Sequence, residues 1–81
     1  MNYQQFTDQG TSLIKINKLE EAKFFFEKAL ELRPDFADAL TNLAVVEHEL
    51  GNLNHAVRLY KEAVAVSPKI ALKSENKILS V

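Results

Sequence analysis

Cysteine is missing altogether from the 81 residues, so neither disulfides nor thiolate metal ligands can staple this fold. A cysteine-free chain fits a reducing compartment. Charge of one sign is missing too: ten basic side chains against eleven acidic ones leave a net charge of -1. No basic excess argues for nucleic acid or for an anionic membrane surface. Apolar runs stay well short of the ~18 residues of a membrane span. The opening segment MNYQQFTDQG lacks the basic-then-apolar build of a signal peptide, so the expected location is the cytoplasm. Glycine and proline occur only twice each. Few points therefore break the chain, and strand-like alternation of apolar and polar residues is absent.

What is present is helical spacing. Ala22, Phe26, Ala29 and Leu30 form one such set, and Leu40, Leu43, Ala44 and Val46 form another. The two prolines, Pro34 and Pro68, stand 34 residues apart, which invites a search for a repeat. Sliding the chain by that period brings Thr7 onto Thr41, Leu19 onto Leu53, Ala22 onto Ala56, Ala29 onto Ala63 and Pro34 onto Pro68. Phe6 falls on Leu40, Phe26 on Tyr60, Leu30 on Val64 and Leu32 on Val66. Each unit reads as helix, short turn, helix, then a proline stop. Asn17 and Gly51 tolerate the left-handed backbone that ends a first helix. Asn54 is a suitable N-cap for a second helix, and Asp35 for the helix after Pro34. The four alanines are small where paired helices approach closely, with Phe26 and Tyr60 filling the space beside them.

These residues resemble the tetratricopeptide repeat pattern, a 34-residue helix–turn–helix unit. The first unit supplies Phe6, Gly10, Leu13, Ala22, Phe26, Ala29 and Pro34. The second supplies Leu40, Leu43, Ala44, Ala56, Tyr60, Ala63 and Pro68. The resemblance implies an all-α fold of antiparallel helix pairs in an α-solenoid, with about five helices. Repeat one would cover residues 3–36, repeat two 37–70, and a C-terminal capping or partial third-repeat helix 71–81. Gln9 and Glu47 depart from the pattern, where the family prefers leucine and tyrosine, so looser packing is expected in those turns.

No catalytic constellation is visible: no cysteine nucleophile, no Gly-rich phosphate loop and no histidine pair at i, i+4. The expectation is a non-enzyme without cofactor or metal. His48 and His55 are read as solvated side chains on either side of a turn. The resemblance implies a protein–protein interaction module that takes a peptide segment or partner surface in a concave groove lined by first helices. Mapped onto this chain, the groove candidates are Thr7, Thr11, Ile14, Asp38, Thr41, Asn42, Val45 and His48, with Gln4 and Glu49 beside them. The lysine-rich clamp with which some members hold a C-terminal carboxylate is not matched. Its places carry Thr7, Thr11, Asn42, Leu72 and Asn76, of which only Asn42 fits. The alternative reading is a structural protein that homo-oligomerises through exposed repeat faces.

One stretch, EEAKFFFEKAL, carries three phenylalanines in succession. On a helix they sweep about 200° of surface, wider than a buried stripe. Phe26 belongs to the core of its own unit, and Phe25 is expected to pack toward the following unit with Leu32. Phe24 falls among Glu20, Glu21, Lys28 and Glu31, and is expected to point outward as a contact residue or a bare surface ring.

Overall fold

The computed structural model describes residues 1–68. The fifth helix expected at 71–81 lies outside the described residues. Among the described residues, four helices follow one another: α1 (Tyr3–Lys15), α2 (Leu19–Leu32), α3 (Ala37–Glu49) and α4 (Leu53–Val66). Helix α1 packs on α2 and α3 on α4 as pairs, and α2 packs against α3 to join them.

Local chemistry sets each boundary. Asn2 begins α1 through a capping box: its side chain accepts from the Gln5 backbone N–H at 2.9 Å, and the Gln5 side chain accepts from the Asn2 backbone. Asn17 (φ 60) and Gly51 (φ 87) end the first helices in the left-handed region, as the sequence suggested. At both turns the next two backbone N–H groups close a Schellman pattern. Asn17 and Lys18 donate to Ile14 and Leu13, and Gly51 and Asn52 donate to His48 and Glu47.

The other two caps differ from expectation. Helix α4 starts one residue ahead of Asn54, behind Asn52, which makes no side-chain cap bond. Phe36, not Asp35, occupies the N-cap of α3. Asp35 instead accepts from Arg33 Nε at 3.3 Å, because the guanidinium competes for its carboxylate. Arg33 also donates to the Tyr3 hydroxyl at 2.9 Å and stacks over the Tyr3 and Phe36 rings. Those contacts bind the start of α1 to the α2–α3 turn.

The core runs between the pairs. Ala22, Phe26, Ala29, Ala44, Val46 and Ala63 are fully buried, with Leu13, Leu40, Leu43 and Leu59 nearly so. The Phe26 ring lies close against Gly10, where even a methyl group would stand 2.6 Å from it. This close approach, rather than backbone freedom, requires glycine at that position. Burying a phenylalanine ring contributes about 1.5–3 kcal/mol.

The three phenylalanines separate as follows. Phe26 is in the core. Phe24 is 53% exposed, with Lys28 Nζ 5.3 Å from its ring centre. Phe25 is half-buried and stacks on Phe6 of its own pair at 6.2 Å, with its edge on Phe24. Its aromatic neighbour on the paired helix is thus Phe6, it also packs on the core shared by the two pairs, and Leu32 is exposed.

Candidate functional site

Helices α1 and α3 are neighbours in space as well as in role. The groove candidates are drawn from these two helices, and three of the eight are threonines. Thr7 Oγ1 donates to the Tyr3 carbonyl at 2.8 Å, Thr11 Oγ1 to the Thr7 carbonyl at 2.9 Å, and Thr41 Oγ1 to the Ala37 carbonyl at 2.8 Å. Each hydroxyl proton is therefore committed to its own helix. What the threonines offer outward is a methyl group and oxygen lone pairs.

Thr11, Ile14, Thr41, Asn42 and Val45 are half-buried, and Asp38 and His48 are exposed. Thr7 is 3% exposed, so it supports the face and cannot meet a partner. Thr7 is the buried member of the candidate set, whereas Thr11 and Thr41, which make the same i−4 hydrogen bond, stay half-buried. His48 Nδ1 lies 3.8 Å from Glu49 Oε1 with both side chains open to water. The candidates thus combine half-buried threonine and aliphatic side chains with one amide, Asn42.

Behind that face lies a charged cluster that the sequence reading did not anticipate. Glu47 is 1% exposed, in place of the looser packing expected there. Its Oε2 contacts His55 Nδ1 of α4. Its Oε1 stands 3.3 Å from Lys23 Nζ of α2, an ion-pair distance at an angle outside hydrogen-bond geometry. Burial alone would push this carboxyl upward. The hydrogen bond from His55, the Lys23 ammonium and the Asn52 side chain outweigh it and hold Glu47 below the usual carboxylate range. His55 is therefore not a purely solvated side chain but a partner of the buried acid.

Glu47 falls on Leu13 in the 34-residue register, and Lys23 on Val57. Two departures of opposite charge thus meet across the junction of the two pairs, and that coincidence was the available signal. Among the described residues, no group of three or more histidine, cysteine or acidic side chains is placed to hold a metal ion.

Two stacked helix pairs, a 34-residue period and glycine at the aromatic crossing agree with one comparison. A family model described as the tetratricopeptide repeat matches residues 13–74. The chain belongs to the tetratricopeptide repeat family. It is also 38% identical, over 74 residues, to the human protein O-mannosyl-transferase TMTC3. That match takes in 90% of this chain and 8% of the relative, so the chain spans about 8% of that protein's length. As a tetratricopeptide repeat, α1 and α3 are its first helices and α2 and α4 its second helices.

Proposed function

We propose that this chain is a protein–protein interaction module that binds a peptide segment or partner surface across the α1–α3 face. The observation that carries this reading is the strip of Thr11, Ile14, Thr41, Asn42 and Val45, half-buried and spread over two adjacent first helices. Half-buried side chains on rigid helices need little reordering on binding, which lowers the entropic cost of association. Asn42 supplies an amide that both donates to and accepts from a peptide backbone. Thr11 and Thr41 add acceptors and methyl groups. With no lysine or arginine among the strip residues, a free C-terminal carboxylate finds no counter-charge there. An internal segment of uncharged or basic character suits it better, with Asp38 at the edge.

The test is affinity capture from source lysate with quantitative mass spectrometry, using the wild type, Val45→Glu and Phe24→Glu in parallel. A protein retained by wild type and Phe24→Glu but lost with Val45→Glu supports the groove. Equal retention by all three removes it.

A further inference from the structure

The second helix pair is joined to the first through one helix. Among the described residues, α3 packs on α2 and more lightly on α1, whereas α4 packs on α3 alone. The pose of α3 on α2 therefore decides where both helices of the second pair stand, and with them the α1–α3 face.

Apolar packing sets that pose only loosely. Attraction between apolar surfaces has no direction, and cores of suitable volume lose a unique arrangement before they lose stability. The buried side chains of α3 are Ala39, Leu40, Leu43, Ala44, Val46 and Glu47. Two are alanines, so much of this face offers little resistance to a roll or a slide. Glu47 is the exception, the one charged member of that set and 1% exposed. The facing stripe of α2, made of Leu19, Lys23, Phe26 and Leu30, likewise holds a single charge, Lys23.

In the observed pose these two charges meet. Glu47 Oε1 stands 3.3 Å from Lys23 Nζ of α2, while Oε2 accepts from His55 Nδ1 of α4. One carboxylate thus ties three helices, and each oxygen has a different helix to reach. Sliding α3 along α2 by one turn, about 5.4 Å, would set that carboxylate against Leu19 or Phe26 in place of Lys23. A buried charge left without its partner is strongly unfavourable, so that pose is rejected.

We propose that Glu47 is a positioning residue: by reaching Lys23 and His55 at once it selects one pose of the second pair on the first, and so fixes the spacing of α1 and α3 that a partner meets. The consequence for partners rests on the binding proposed above, whereas the pose is a property of the chain alone. The cluster contributes uniqueness more than stability, since a buried charge pair can be exchanged for apolar residues at little cost.

Because the chain has no cysteine, two can be introduced as carriers of nitroxide labels, at Gln9 of α1 and Arg58 of α4, both exposed. Pulsed double electron–electron resonance on the full chain then measures the distance between the pairs. Wild type should give a single narrow distribution. The double variant Lys23→Val, Glu47→Leu should keep its helical signal and a urea midpoint near wild type, yet broaden the distribution at least about twofold. Lys23→Arg, which keeps a cation, should stay as narrow as wild type. A double variant as narrow as wild type would overturn the proposal, because apolar packing would then suffice. Equal broadening in Lys23→Arg, or a broad wild type, would overturn it as well. If the double variant loses its helical signal, Glu47→Gln takes its place under the same criteria, since it keeps the side-chain volume and drops the charge. No partner enters this experiment, so the groove and the pose can fail separately.

Discussion

Replacing Lys23 by valine removes the ammonium 3.3 Å from a carboxylate that is 1% exposed. Breaking a buried ion pair on one side costs about 3–5 kcal/mol when the remaining charge has no other relief. Glu47 keeps His55, and the Lys23 side chain is 28% exposed, so water already reaches part of the site. The expected loss is therefore smaller, about 1–3 kcal/mol. Replacing Glu47 by leucine is a different perturbation. It installs the residue type found at Leu13, the matching place in the first pair, which is 7% exposed there. Lys23 and His55 are left without an acid, but both side chains reach solvent, at 28% and 43% exposure. Glu47→Leu should thus stay within about 1 kcal/mol of wild type or exceed it, and the double variant should recover most of the Lys23→Val loss. Urea melts of the four proteins close the cycle, with a coupling of about 1–3 kcal/mol between the two sites. The reasoning is refuted if Glu47→Leu is the more damaging single change, or if the two effects simply add.

The same carboxylate gives the fold an acid-side dependence. Its folded pKa is held below the ordinary carboxylate range, so its stabilisation is fully present above that range and fades as pH falls through the folded value. Urea melts between pH ~7 and pH ~3 should show a steeper loss for wild type than for Glu47→Leu, whereas parallel curves would exclude Glu47 as a source. Gly10→Ala should cost about 1–3 kcal/mol, since the added methyl would meet the Phe26 ring at 2.6 Å, and an unchanged urea midpoint would contradict that packing. Phe26→Ala should cost about 3–5 kcal/mol. Phe24→Glu should stay within about 0.5 kcal/mol, because its ring is 53% exposed. Equal effects of these two changes in thermal or chemical melts would mean that the phase of α2 is wrong.

Periodicity made the helices legible. Asn17 and Gly51 could be assigned as left-handed turn residues because only a few residue types occupy that conformation. Phe24 and Phe26 could be separated because 100° per residue places them on different sides of one helix. The caps at Asn52 and Phe36 were not legible, since the nominal capping residues lost their role to an offset of the helix start and to the Arg33 guanidinium. The contact of Phe25 with Phe6 was not legible, because register says which way a ring points and not which side chain fills the space beside it. Thr7 was placed in the groove by register alone, whereas its burial depends on how closely the paired helices approach. Glu47 looked like a defect when considered by itself. Only the pairing of α2 with α3 brings Lys23 to it, and contacts across 24 positions of sequence leave no periodic signal. The candidates from Thr11 to Val45 were read from register, while the commitment of the threonine hydroxyls to their own helices became visible only with the hydrogen-bond geometry.

The claim that partners dock on the α1–α3 face is tested most directly by site-specific photo-crosslinking. A benzophenone amino acid is placed at Val45 in one protein and at Phe24 in another, and each is exposed to source lysate and light. The account predicts one partner band crosslinked from position 45 and absent from position 24, with the crosslinked peptide mapping to an internal segment of that partner. The same band arising from position 24 and not from 45 would contradict it.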